Sequence, residues 1–342
     1  MRILITGAGT LGTELALQLN GKNPKIDYGG GFFHNTVTML DSSENALWTF
    51  QEAQRKAMAS GRLTQDQMKH TKLVLGDIKD KSAVDRALDG GMANPYLGGM
   101  EIVIHTAALK HVLFTNKAPY ETIETNIRGT ANVIQSCLEH NIEQFVFISS
   151  DKACYPSNIY GQSKKFGELL TSWAAEQTYQ CGGYRHYFSC RFGNFLGSSG
   201  SVLDRWKEQR ASGEILLTDP NMNRFFITPY EAAKFVIKGM EEEWDQGDVF
   251  VPVIPVINMD TLATCIHNLW GDVIVKTVGA GQGEKTDEMM IGLDEAPRTK
   301  VEPFGFRIGR EFIGDIKEEM VTTATLPLMS REQTMEYIKG VI

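Results

Sequence analysis

Long apolar runs are absent from this chain. Nowhere does it approach the ~18 consecutive apolar residues that a membrane-spanning helix requires, so no membrane partner is expected. Positive charge is also scarce. The 34 Lys and Arg are outnumbered by 42 Asp and Glu, for a net charge of −8. No basic run interleaved with aromatics appears, which argues against a nucleic-acid surface. Cysteine is limited to Cys137, Cys154, Cys181, Cys190 and Cys265, with no C-x-x-C and no His/Cys pair at ligand spacing. They read as buried thiols of a reduced cytoplasm, not as a disulfide frame or a zinc site. None of the seven histidines forms H-x-x-x-H, so no metal is expected. The chain starts directly in a strand, which leaves no room for a signal peptide, and the expected location is cytoplasmic. No internal repeat or low-complexity tract is present.

What the chain does have begins at its start. Arg2-Ile3-Leu4-Ile5 is a short apolar run, followed at once by Thr6-Gly7-Ala8-Gly9-Thr10-Leu11-Gly12 and a helical stretch. G-x-G-x-x-G between a strand and a helix is the context of a dinucleotide-binding turn. Gly7 permits the tight turn, Gly9 admits a pyrophosphate against the backbone, and Gly12 lets the helix pack close to the sheet. The helix N-terminus then offers free N–H groups to the anion. The next strand, Thr36 to Leu40, ends at Asp41. An acidic side chain there can bond the adenosine ribose hydroxyls and repel a 2′-phosphate. NAD is therefore slightly favoured over NADP, and both stay open. Asp41 also has a simpler reading, as the N-cap of the helix that follows. The spacing from Gly12 to Asp41 exceeds the usual ~20 residues, and Gly21 to Asn35, with Gly29-Gly30-Gly31, reads as an enlarged loop.

Further apolar runs alternate with helical patterns. Strands are expected at Lys72–Leu75, Ile102–His105, Gln144–Ile148 and His186–Arg191, with long helices over about Pro119–Asn141 and Tyr160–Thr178. This alternation predicts an α/β fold: a Rossmann-type doubly wound parallel sheet with a smaller C-terminal substrate-binding lobe. The expected division is a dinucleotide-binding domain at 1–193, to which 229–258 returns, and a substrate-binding lobe at 194–228 and 259–342.

The chemistry is expected where the strand ending in Ile148 runs into Ser149-Ser150-Asp151-Lys152, because ligands bind outside the carboxyl ends of strands in such sheets. Tyr160 follows with Lys164 at i+4, on one helical face. An unperturbed Tyr, with a pKa near ~10, is a poor base at neutral pH. The cation of Lys164 and an oxidised nicotinamide would lower it toward use.

Thr6-Gly7-x-x with Tyr160-x-x-x-Lys164 resembles the extended short-chain dehydrogenase/reductases that act on nucleotide sugars. Within them, Asp151-Lys152-Ala153-x-x-Pro156-x-Asn158-x-Tyr160-Gly161-x-Ser163-Lys164 is similar to the soluble UDP-N-acetylglucosamine 4,6-dehydratases, inverting type, of pseudaminic-acid and capsule polysaccharide pathways. The segments Ala107–Val112, Thr125–Val133, Arg191–Asn194, Gly200–Val202 and Thr218–Thr228 agree with this. The chain departs from the pattern at Leu113, at Asn116 and at Gly281-Gln282-Gly283-Glu284-Lys285, where the family carries Arg-Pro-Gly-Glu-Lys.

The resemblance implies an internal redox loop on a UDP-hexosamine. Tyr160 takes the 4-hydroxyl proton, Lys164 holds it and the nicotinamide ribose, and Ser150 bonds the developing carbonyl. Lys152, if neutral, removes the C5 proton. Asp151, if protonated, gives its proton to the departing 6-hydroxyl. It further implies cofactor contacts from Thr10, Leu11, Asp77, Ile78, Ala107, Ala108, Lys110 and Asn126. Substrate contacts are implied for Lys110, His111, Asn194, Ser201, Val202, Arg224 and Glu284, with Arg224 and Asn194 on the diphosphate side unless Arg224 pairs with Asp219. A homo-oligomer formed through the two long helices is expected. A nucleotide-sugar 4-epimerase or reductase, and a non-catalytic NAD(P)-sensing regulator, remain as alternatives.

Overall fold

The apolar runs near the N-terminus become the centre of a nine-stranded sheet. Its strands are β1 (Arg2–Thr6), β2 (Thr36–Asp41), β3 (Thr71–Leu75), β4 (Ile102–His105), β5 (Gln144–Ser150), β6 (His186–Phe192), β7 (Val249–Pro252), β8 (Thr299–Glu302) and β9 (Gly305–Ile308). Their order is β8-β9-β7-β6-β5-β4-β1-β2-β3. Every pairing from β7 to β3 is parallel, while β9 runs antiparallel to both β7 and β8. The strand order reverses at β1, which opens a crevice between the ends of β1 and β4. The computed structural model describes residues 1–21, 35–89, 99–180, 185–242, 247–271, 273–281, 283–310, 314–316 and 321–341. Most of the expected loop between Gly21 and Asn35 lies outside them, as do Cys181 and Gln282.

Successive strand side chains point to opposite faces, so both faces of the parallel sheet must be covered. On one face α1 (Thr10–Gly21) and α2 (Glu44–Ala59) pack with a later helix, Pro229–Glu241, burying Leu15, Phe50 and Val236 against Ile3, Ile5 and Val37. On the other, α3 (Lys81–Leu88), α4 (Gly129–Glu139) and α5 (Ile159–Gln180) bury Val84, Val133 and Ala174 against Leu4, Val103 and Phe145. Ser43 caps α2 by accepting from Ala46 N–H, so the cap is not Asp41. The helix expected over Pro119–Asn141 forms as Pro119–Thr122, a π-helical turn at Ile123–Arg128, and α4. Single π turns concentrate at functional sites. This one carries Asn126, which is buried.

The second lobe has its own core around Leu196, Trp206, Leu217, Phe226 and Leu262. A three-stranded sheet joins Val256–Asn258, Asn223–Ile227 and Asn194–Phe195, and Glu214–Leu217 pairs with Ile274–Thr277. The expected division shifts in two places. Residues 299–308 join the main sheet as an antiparallel hairpin at its edge, and Val256–Asn258 pairs within the second lobe. The hairpin reads Thr-Lys-Val-Glu and Gly-Phe-Arg-Ile, a mixed pattern suited to an edge, not the continuous apolar run of a central strand.

Candidate active site

The carboxyl ends of β1, β2 and β4 frame a cleft of about 560 Å³. Gly7 takes φ +93°, a left-handed conformation that favours glycine, and a Cβ there would lie 2.7 Å from Ala107 N. A Cβ on Gly12 would strike the Gly7 carbonyl, whereas one on Gly9 would meet nothing within 4 Å and would project into the cleft. The backbone at Gly9 is thus bare toward open space at the start of α1, which suits an approaching pyrophosphate. Thr10 and Leu11 line the same cleft. Asp41 closes its far wall, where Oδ2 accepts from Ala8 N–H at 2.7 Å and Oδ1 accepts from Ser43 N–H at 2.7 Å. Each oxygen keeps a second lone pair, which a ribose hydroxyl can use. Asp77 and Ile78 line the side after β3, and Ala107, Ala108 and Lys110 the side after β4. The donor set and the open backbone fit a dinucleotide.

Asn126 does not line the cleft. It holds the wall from behind: Oδ1 accepts from Leu109 N–H at 2.7 Å, and Nδ2 donates to Leu109 O at 2.9 Å and to Ser163 Oγ at 3.0 Å. It positions the 107–110 segment.

Tyr160 and Lys164 reach the inner end of the cleft from the first turns of α5. Lys164 Nζ donates to Ile148 O at 2.7 Å and lies 4.8 Å from the Phe147 ring centre. Burial lowers its pKa to about 8. Burial also raises Tyr160 above its ordinary value; Lys152 and a hydrogen bond with Ser150 pull the other way. Lys152 is therefore a cation acting on Tyr160 that was not expected, while Lys164 donates to the β5 carbonyl.

Lys152 corrects a second expectation. Its Nζ lies 2.9 Å from Asp151 Oδ1, 3.2 Å from Asn194 Oδ1 and 3.5 Å from Glu288 Oε1. Three acceptors surround three N–H donors. Burial alone would lower its pKa, but Asp151 and Glu288 together raise it, so Lys152 stands as an ammonium and not as a free amine. Asp151 is fully buried, and its Oδ1 also accepts from Ser150 Oγ at 2.8 Å.

A smaller cavity of about 110 Å³ adjoins, lined by Lys152, Asn158, Asn194, Arg224, Glu284 and Glu288 among others. Arg224 donates to the carbonyls of Asn223, Thr286 and Lys285, and Asp219 instead accepts from Asn221. Arg224 and Asn194 thus sit beside Lys152, at the acid–base cluster. Glu284 Oε2 accepts from Gly281 N–H at 2.9 Å. Lys110 Nζ donates to Ser199 O at 2.7 Å, and His111 packs against Gly200. Ser201 caps the helix Val202–Gln209, and Val202 packs on the second core; neither lines the two cavities. Asn116 Oδ1 accepts from Ile159 N–H and its Nδ2 faces Gly283, while Leu113 faces Gly281, so both departures from the family pattern lie beside these glycines.

Glu288 escaped the sequence reading. Its one cue was an acidic residue leading into the apolar run Met289–Ile291. That strand is held by a buried ion network. Arg191 on β6 bonds both carboxylate oxygens of Glu168 on α5 and both of Glu295, and donates to Met290 O. Ser149 Oγ donates to Glu168 at 2.6 Å, so the network lies directly behind Ser150 and Asp151.

Residues 3–308 match the family described as polysaccharide biosynthesis protein. The UDP-N-acetylglucosamine 4,6-dehydratase (inverting) of Campylobacter jejuni subsp. jejuni serotype O:23/36 (strain 81-176) is 32% identical over 285 residues, 82% of this chain and 80% of that protein. A UDP-glucose 4-epimerase of Rickettsia rickettsii (strain Sheila Smith) is 30% identical over 226 residues, 66% of this chain and 63% of that protein. The X-ray structure of Pen from Bacillus thuringiensis superposes with a TM-score of 0.85 at 27% identity, covering 99% of this chain and 97% of that one. The chain belongs to the polysaccharide biosynthesis protein family and has the Rossmann-type fold of a short-chain dehydrogenase/reductase enzyme.

Proposed function

We propose that this protein is a nucleotide-sugar 4,6-dehydratase acting on UDP-N-acetylglucosamine or a close UDP-hexosamine, with NAD or NADP held in the larger cleft. The observation that carries the reading is Lys152, caged by Asp151, Asn194 and Glu288 beside Tyr160. A 4-epimerase needs one base and one hydride path. It has no use for a second acid–base cluster next to the first, and a sensing module needs neither.

When bound, the nicotinamide supplies a hydride acceptor at C4 and a hydride donor at C6. The protein manages the protons. Tyr160, hydrogen-bonded to Ser150, takes the proton of the 4-hydroxyl, and Ser150 Oγ can turn from Asp151 to the carbonyl that forms. Lys164, at the same inner end of the cleft, would hold the nicotinamide ribose. The 4-ketone acidifies C5–H, and the Lys152 cluster removes that proton and assists loss of the 6-hydroxyl. The product is a 4-keto-6-deoxy sugar, with C5 inverted when the returning proton reaches the opposite face.

Incubation of the cofactor-loaded enzyme with UDP-N-acetylglucosamine in deuterated water tests this. Mass and proton spectra should show loss of water and one deuterium at C5. A product that keeps its 6-hydroxyl and differs only at C4 would make the protein an epimerase.

A further inference from the structure

Lys152 must lose a proton before it can act as a base, and a leaving hydroxyl at C6 must gain one. Of the three groups that hold the ammonium, Asn194 cannot accept a proton. Asp151 can, but it is fully buried and lines neither cavity. Glu288 lines the small cavity together with Lys152, is only 4% exposed, and lies 3.5 Å from Nζ through Oε1. Its second oxygen, Oε2, is buried without a hydrogen-bond partner among the described residues, as is Asp151 Oδ2, and of the two carboxylates only Glu288 lines the cavity. An unpartnered buried oxygen costs free energy unless a ligand completes it. Its backbone is fixed: Glu288 N–H donates to Thr323 Oγ1 at 3.0 Å, and Glu288 O accepts from Thr323 N–H at 2.9 Å. The strand it introduces is clamped by Arg191 through Met290 O. The carboxylate is a placed group, not a stray charge.

We infer that Glu288 is the acid of the elimination and shares a single proton with Lys152, its base. The inference rests on the dehydratase reading above. When a sugar fills the cavity and displaces water, two opposite charges lose their solvation, which favours the neutral pair. An Nζ–H bond of Lys152 breaks and an O–H bond of Glu288 forms, leaving amine and carboxylic acid. The amine takes the C5 proton. The electron pair of the C5–H bond forms the C5=C6 double bond, and the C6–O pair departs with the Glu288 proton as water. Lys152 is again an ammonium and Glu288 again a carboxylate, with no proton drawn from outside. Asp151 is then a positioning residue that fixes Ser150 and Lys152 with one oxygen.

Two measurements test this. In cofactor-loaded enzyme without sugar, the titration of Lys152 Nζ is followed by NMR of 15N-labelled lysine. Glu288→Gln should lower its midpoint by about 1–3 pH units, the effect of removing one close opposite charge. An unchanged midpoint would overturn the shared proton, whatever the enzyme's substrate. In single turnover with UDP-N-acetylglucosamine in deuterated water, Glu288→Gln should still build up the reduced-nicotinamide signal, while C5 exchange and water loss fall ~10²–10⁴-fold. Glu288→Asp should recover part of that loss, and Asp151→Asn should retain more elimination than Glu288→Gln. Wild-type elimination in a folded Glu288→Gln variant would overturn the assignment. Intact UDP-hexosamines in the wild type would instead remove the dehydratase reading, and the titration would still decide the proton sharing.

Discussion

Tyr160, Asp41 and His105 each carry a prediction that one substitution can check. Tyr160→Phe keeps the ring and loses the proton acceptor. Oxidation at C4 should slow ~10²–10⁴-fold with nucleotide affinity nearly unchanged, as read by stopped-flow absorbance of the nicotinamide. Asp41, whose two oxygens already hold Ala8 N–H and Ser43 N–H, presents a carboxylate where a 2′-phosphate would lie. NAD should bind more tightly than NADP in calorimetry, and Asp41→Ala should narrow the gap. His105 is wholly buried between the hydroxyls of Thr6 and Thr130, and burial lowers its pKa from 6.5 to about 3. The unfolded chain gains this proton below about 6.5 while the folded one refuses it, so stability falls as pH drops toward about 3. The loss should reach about 1.4 kcal/mol per pH unit. Urea midpoints at pH 7 and 5 should converge in His105→Gln. At this scale much of the local pattern was readable: the glycine turn, Asp41 and Tyr160-x-x-x-Lys164 line one cleft, and Lys152 lines the smaller cavity. What could not be read was protonation. The state of Lys152 depends on Glu288, a neighbour that sequence distance hides.

Among the elements, the join between β6, α5 and the 288–295 segment matters most. Arg191 is fully buried with two carboxylates, and Arg191 with Lys165 holds Glu295 far below the usual carboxylate range. Arg191→Met would leave Glu168 and Glu295 buried without their main counter-charge and should cost roughly 3–5 kcal/mol in chemical denaturation. Glu168→Gln combined with Glu295→Gln in that background should recover much of it. Elements with strong periodicity matched expectation closely, since α5 and the central strands are set by burial on both sheet faces. The 299–308 hairpin and the π turn did not announce themselves. The hairpin has the half-exposed pattern of an edge, and a π turn differs from an α turn by one residue of register, which composition does not record.

For the whole molecule, α5 leaves Phe166, Leu169 and Trp173 exposed along one side, and Tyr120 and Ile123 are exposed on the neighbouring helix. Apolar patches of this kind mark contact surfaces. A homodimer through this face is the expected assembly. Light scattering at micromolar concentration should give a dimer, and Leu169→Glu with Trp173→Glu a monomer; a monomeric wild type would refute it. The ion network has a separate outcome during synthesis. The glycine turn, β1 to β6 and Tyr160 all emerge before residue 200, so a growing chain can form the cleft for its nicotinamide early. Lys152 meets Glu288 only after the 288–295 segment has docked on Arg191. A nascent or truncated chain could thus hold a nicotinamide cofactor, yet on the dehydratase reading it would lack the paired groups proposed to expel water. Reactivity toward C5 would arrive with the last quarter of the polypeptide.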